Sequence, residues 1–239
     1  MTDDTDAGDG RAGADPTARS DALDPYRLLG AVATVVALGG IALATLLDPT
    51  FSWTGDALSH LGVRDRSALV FNGGLVLGGV LGLGYAVGLW RCAAEDGAHT
   101  VEGDTGTAGI SAGTTGAAVR LRAALFALSM VAMAGVGVYD LTRPLHGPAA
   151  AAFYTFLTAT LAVDGVARRR TATGRVALAF VPVHVVVWAT FLGGYWPVTG
   201  LALPELPGAL MLAAWVWVVG PLPVLAVGPS DEERSGDGS

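Results

Sequence analysis

Six apolar runs separated by polar segments set the pattern of the chain. They cover residues 28–47, 68–90, 121–139, 149–167, 176–196 and 208–227. A helix needs about 20 apolar residues at 1.5 Å each to cross a hydrocarbon core of about 30 Å. Each run meets or approaches that length. None alternates with the period of two that a membrane barrel strand requires. Helices therefore satisfy the backbone in lipid. The pattern predicts an all-α fold, an integral membrane bundle of six transmembrane helices over residues 26–227.

The segments between and around the runs differ sharply from them. Residues 1–25 and 228–239 are rich in Asp, Gly and Ser and predict disordered acidic tails. Residues 91–120 are rich in Gly, Thr and Ala and predict a flexible loop on the cytoplasmic side. The first apolar run starts late, is too long for a signal-peptide core and follows an acidic segment. It reads as a retained span.

Composition sharpens this picture. Of the 239 residues, 52% are hydrophobic and 15% charged. Soluble domains carry roughly 25% charged residues. The formal net charge is −7, and the 14 basic residues are all Arg. Such a surface repels nucleic acid and anionic headgroups, so the lipid bilayer is the expected partner and nucleic acid is not. Acidic tails without Lys on an Ala-, Gly- and Val-rich chain resemble a halophile's protein.

Arginines near the spans predict orientation through the positive-inside rule. One side holds Arg27, Arg91, Arg120, Arg122, Arg168, Arg169, Arg170 and Arg175. The other holds Arg64, Arg66 and Arg143. This asymmetry predicts a plasma-membrane protein with both termini cytoplasmic. In the second run Gly74, Gly78 and Gly82 fall four apart, and Gly84 and Gly88 repeat the spacing. The stripe predicts close helix packing, within the chain or in a homodimer.

Candidate chemistry lies in the two outer loops before the second and fourth spans. In DPTFSWTGDALSHLGVRDRS, Thr54 is the expected cap of a short helix and Gly62 its stop. Asp56, Ser59 and His60 share nearly one face of that helix, with Leu58 and Leu61 directed toward the bilayer. In YDLTRPLHGP, Asp140, Arg143 and His146 join the same side. If the loops meet, Asp56, Ser59, His60, Asp140 and His146 are candidate catalytic residues. Asp56, His60, Asp140 and His146 are candidate zinc ligands, since zinc takes His and carboxylate ligands. No spacing matches a metal signature such as HExxH.

Three polar residues fall inside the spans. His184 lies roughly 13 Å from one face and 18 Å from the other at 1.5 Å per residue. It is expected to be functional or bonded to a neighbouring helix. It is the single clear intramembrane His, so bis-histidine haem is not expected. Asp164 stands one turn before Arg168 and predicts an i,i+4 pair. Asn72 predicts an interhelical hydrogen bond or the floor of an outer pocket. Glu205, between Pro204 and Pro207, reads as a loop residue. Cys92 is the lone Cys, which excludes an intramolecular disulfide.

The segment GDALSHLGVRDRSALVFNGGLVLGGVLGLGYAVGL resembles the family called domain of unknown function 998, through Asp56, Ser59, Leu61, Gly62, Asn72 and the glycines. DLTRPLHGP is similar to that family's Asp- and His-containing loop, through Asp140 and His146. The resemblance implies a multi-spanning prokaryotic membrane fold over residues 26–227 and no particular activity. His60 departs from the acidic residue that the resemblance leads one to expect there. Three function classes follow: an accessory, structural or binding protein with an outward polar pocket; a membrane-embedded, metal-dependent hydrolase acting on lipid; and a transporter of ions or small solutes.

Overall fold

The computed structural model describes residues 24–99 and 109–225, of which 93–99 and 109–115 are described by their backbone alone. Among the described residues every regular element is helical. The helices are α1 (Pro25–Leu47), α2 (Ala68–His99), α3 (Gly109–Val138), α4 (His146–Ala167), α5 (Ala172–Leu192) and α6 (Ala202–Ala214). A 3-10 helix (Leu58–Val63) lies between α1 and α2, and a π turn (Trp215–Val219) continues α6. Six of these segments are long and apolar enough to cross a membrane, counting α6 with its π turn.

Local chemistry explains the ends. Pro25 opens α1, where its missing N–H costs nothing. The Asp24 side chain caps that end by accepting from the Tyr26 N–H at 3.0 Å. Thr171 caps α5 by accepting from the Gly174 N–H. α5 stops at Leu192, short of the expected 196, because Gly194 turns the chain at φ +75°. α6 starts at Ala202, six residues before the expected 208. Pro204 lies in the first turn, where the N–H groups have no intrahelical partner, and Pro207 lies inside the helix. Glu205 is therefore helical, which corrects its reading as a loop residue.

Two further expectations are corrected. α2 runs on to His99 and α3 begins at Gly109, so much of the linker expected over 91–120 is helix; residues 100–108 lie outside the described residues. Most of the acidic tails lie outside them too. The helix in the first long loop starts at Leu58 rather than after Thr54. Leu58 and Leu61 do not dip into lipid: they are 5% and 0% exposed and belong to the core. The polar carbonyls at that helix's end explain the inward turn. Ser67 donates to the Leu61 carbonyl and Asn72 to the Gly62 carbonyl, both at 2.8 Å.

The bundle is built by α1, α2, α3 and α4 packing in chain order, with α6 against α4 and α5 and its π turn against α1 and α5. The glycine stripe is used within the chain. A Cβ on Gly40 would meet the Gly74 Cα at 3.1 Å, so α1 and α2 cross backbone to backbone. Gly79 and Gly82 face Met130 on α3, while Gly84 and Gly88 face Leu29 and Tyr26 on α1. α5 packs differently: 11% of its span is buried, against 33–44% in the others. It stands off from the bundle and leaves a cleft beside α4.

Candidate functional site

The cleft runs between α4, α5 and the start of α6, with residues of the first loop lining one end. Its volume is about 1030 Å³. Ligand pockets in proteins run roughly 300–1,000 Å³. Its lining extends along α4 from Gly147 to Ala162. At 1.5 Å per residue that is about 22 Å, most of a hydrocarbon core. Within the spans the wall is mixed, with Ala159, Ala162 and Val185 beside Thr155, Thr158 and His184. The mouth is polar, with Ser59, His60, His146 and Glu205.

Ser59, His146, Tyr154 and Glu205 also line a second, internal cavity of about 80 Å³. They form the partition between the two spaces. Glu205 and the first loop hold each other there. Glu205 Oε2 accepts from the Leu58 N–H at 2.8 Å, and the Asp56 carbonyl accepts from the Ala202 N–H at 3.0 Å. Each helix start thus receives an acceptor from the other segment. Tyr154 donates its hydroxyl to the Glu205 carbonyl at 3.2 Å.

The expected site residues divide into several groups. Ser59, His60 and His146 line the cleft. Asp56 stands behind them: its Oδ1 is 2.9 Å from His60 Nδ1, and its Oδ2 accepts from Arg64 at 3.0 Å. Arg64 also donates to Asp48 at 2.7 Å, so one guanidinium ties both ends of the first loop. Asp140 is not on the cleft wall. It accepts from the Thr142 N–H at 2.9 Å and from that residue's hydroxyl. Among the described residues no three His, Cys, Asp or Glu come together as a metal-holding group. Asn72 serves the 3-10 helix, while its Oδ1 is buried without a partner.

Hydrogen bonding sets two histidine tautomers. His146 Nδ1 lies 2.7 Å from the Tyr139 carbonyl, which only accepts. Nδ1 therefore carries a proton. His184 Nε2 accepts from the Trp188 indole at 3.0 Å, and Nδ1 faces Thr158 Oγ1 at 2.7 Å. Its proton is on Nδ1, and the ring is neutral and bonded on both sides. This is the interhelical bond expected of a buried intramembrane His, and it leaves no ring nitrogen free for haem.

Asp164 belongs to the opposite end. It is fully buried and accepts from Arg168 as expected for an i,i+4 pair. It also accepts from Arg122 at 2.9 Å and from the Trp215 indole at 2.8 Å. These two partners come from α3 and the π turn. Between His184 and Asp164 on the α4 side lie Leu157 and Leu161, both fully buried.

The charged latch on the first loop has a pH consequence. Hydrogen bonds from Thr50 and Arg64 hold the Asp48 carboxyl down at about 2, against an ordinary value of 3.8. At Asp56 desolvation works upward, but the Ser52 N–H bond, the Arg64 bond and the Arg64 and His60 charges outweigh it and hold that carboxyl low. A lowered carboxyl stabilises the fold fully above its unfolded value, and that contribution is lost as pH falls through the folded value. The first loop is expected to stay ordered above about pH 4. It is expected to loosen as pH falls toward 2, as hydrogen exchange at Ser52 and Gly55 will measure. Arg64→Gln should advance the loosening to higher pH.

Taken together, the protein is an all-helical, multi-pass membrane protein with a polar-mouthed cleft beside its fifth helix. A family model described as Protein of unknown function (DUF998) matches residues 31–221. The chain belongs to that family. No curated protein and no solved structure matches it.

Proposed function

We propose that the protein is a binding protein of the plasma membrane that holds one long-chain amphiphile in the cleft. The tail lies along α4 and α5, and the head sits at Ser59, His60, His146 and Glu205. Both termini are cytoplasmic, as the eight-to-three distribution of membrane-proximal arginines supports, so the mouth faces outward. The observation that carries the reading is the cleft itself: about 1030 Å³, lined along α4 and α5 mainly by small and apolar residues, with Ser59, His60, His146 and Glu205 gathered at one end. A solute carrier would need a continued polar path, and Leu157 and Leu161 stand on the line toward Asp164.

The Asp56–His60 contact favours a lipid hydrolase as the second reading, with Ser59 beside the pair. The Ala57 N–H, however, points at the same His60 Nδ1 at 3.1 Å. That bond needs a lone pair on Nδ1, whereas an Asp-oriented general base carries a proton there. Binding is therefore the preferred reading.

Organic extraction of the purified protein tests it. A long-chain amphiphile is expected to co-purify near one per chain. Ala159→Phe, which fills the deep wall, should reduce it by about tenfold or more, the worth of about 1.4 kcal/mol. Equal recovery from both proteins would contradict the reading.

A further inference from the structure

Glu205 differs from the carboxylates of Asp48, Asp56 and Asp164, which pair with arginine. Asp48 and Asp56 share Arg64, and Asp164 has Arg122 and Arg168. Among the described residues no basic side chain pairs with Glu205. One of its oxygens accepts from Leu58 N–H, and the residue faces the cleft. No arginine lines that cleft. His146 also lines the mouth, and in its neutral ring Nε2 is a second acceptor, because Nδ1 donates to the Tyr139 carbonyl. The mouth therefore offers the Glu205 carboxyl and, in the neutral ring, a His146 lone pair, with no arginine to match them.

We infer that the cleft selects an amphiphile with a primary ammonium head, seated at Glu205 and His146. This inference rests on the amphiphile-binding reading and names its ligand class. The ammonium supplies three N–H donors and the positive charge that the protein leaves out. Charge-assisted bonds of this kind are roughly twice as strong as neutral ones. A phosphate or sulfate head would bring a second negative charge against Glu205 with no arginine to offset it. Glu205 also stabilises the start of α6 through the helix dipole and accepts from Leu58. Glu205→Gln keeps an acceptor for Leu58 while removing the charge, which separates the two roles.

The test is displacement of a fluorescent long-chain probe from the protein in maltoside micelles. The competitors are tetradecylamine, tetradecanol and tetradecyl phosphate. The amine is expected to compete at about tenfold lower concentration than the alcohol, one charge-assisted bond over a neutral one, and phosphate to compete worst. In Glu205→Gln the amine should lose about tenfold and the alcohol much less. The wild-type ranking decides even if that variant fails to fold. Phosphate competing as well as the amine would overturn the inference and leave the cleft reading standing. So would an amine preference that survives in Glu205→Gln. Failure of all three to displace the probe, with the probe retained equally by Ala159→Phe, would overturn both.

Discussion

Asp164→Ala is expected to destabilise the protein by about 3–5 kcal/mol, the cost of leaving buried charges without their partner. Asp164 is fully buried and accepts from Arg122, Arg168 and Trp215. These partners lie on α3, at the end of α4 and in the π turn. Arg122 is itself buried, with its Nε already unpartnered. Without the carboxylate, two guanidiniums would face each other in the bundle end. Trp215, which donates to Asp164, packs against Tyr85 and Phe126. Thermal unfolding in detergent reads the effect. A loss below about 1 kcal/mol, the range of exposed pairs, would mean that water reaches the cluster.

Trp215 carries the second large effect. Its ring stacks on Phe126 at 5.3 Å and meets Tyr85 edge-on at 6.2 Å. Its indole donates to Asp164 at 2.8 Å. Trp215→Ala removes both the packing and the bond and should cost about 3–5 kcal/mol. Trp215→Phe keeps most of the ring and loses the bond to a charged acceptor, about 1.5–3 kcal/mol. The Trp215→Ala/Asp164→Ala double variant should fall short of the sum, because one bond is counted in both single changes. The same melting experiment measures all three. Additive losses would show that the indole and the carboxylate act independently. This corner also bears on the cleft, because the π turn continues the helix that presents Glu205.

The membrane bundle was legible because apolar runs report span number directly. The i,i+4 spacing likewise announced Asp164 with Arg168, and the same-face reading placed Asp56 beside His60. What escaped was long-range or disguised. Arg122 reaches Asp164 across 42 residues, and no local pattern encodes that link. Glu205 was hidden by Pro204 and Pro207, which look like loop; Pro204 suits the first turn of a helix, and α6 runs on through Pro207. Its role as acceptor for Leu58 spans 147 residues. Asp140 was expected to join His146, yet its carboxylate turns back on Thr142. The signal was present: Asp48-Pro49-Thr50 and Asp140-Leu141-Thr142 share an Asp-x-Thr spacing, and both form the same local turn. Short polar side chains favour such bonds to their own backbone. The cleft depends on how far α5 stands from the bundle, which helix length and hydropathy do not contain.

The account's central claim is that an amphiphile occupies the space between α4 and α5. Photo-crosslinking with a long-chain probe carrying a diazirine on its tail, followed by peptide mapping, tests it most directly. The account predicts labelling at the inward wall, on Thr158, Ala159, Ala162 and Trp188, and its loss in Ala159→Phe. Labelling confined to lipid-facing residues such as Val35, Leu69 and Val131, unchanged in that variant, would contradict it.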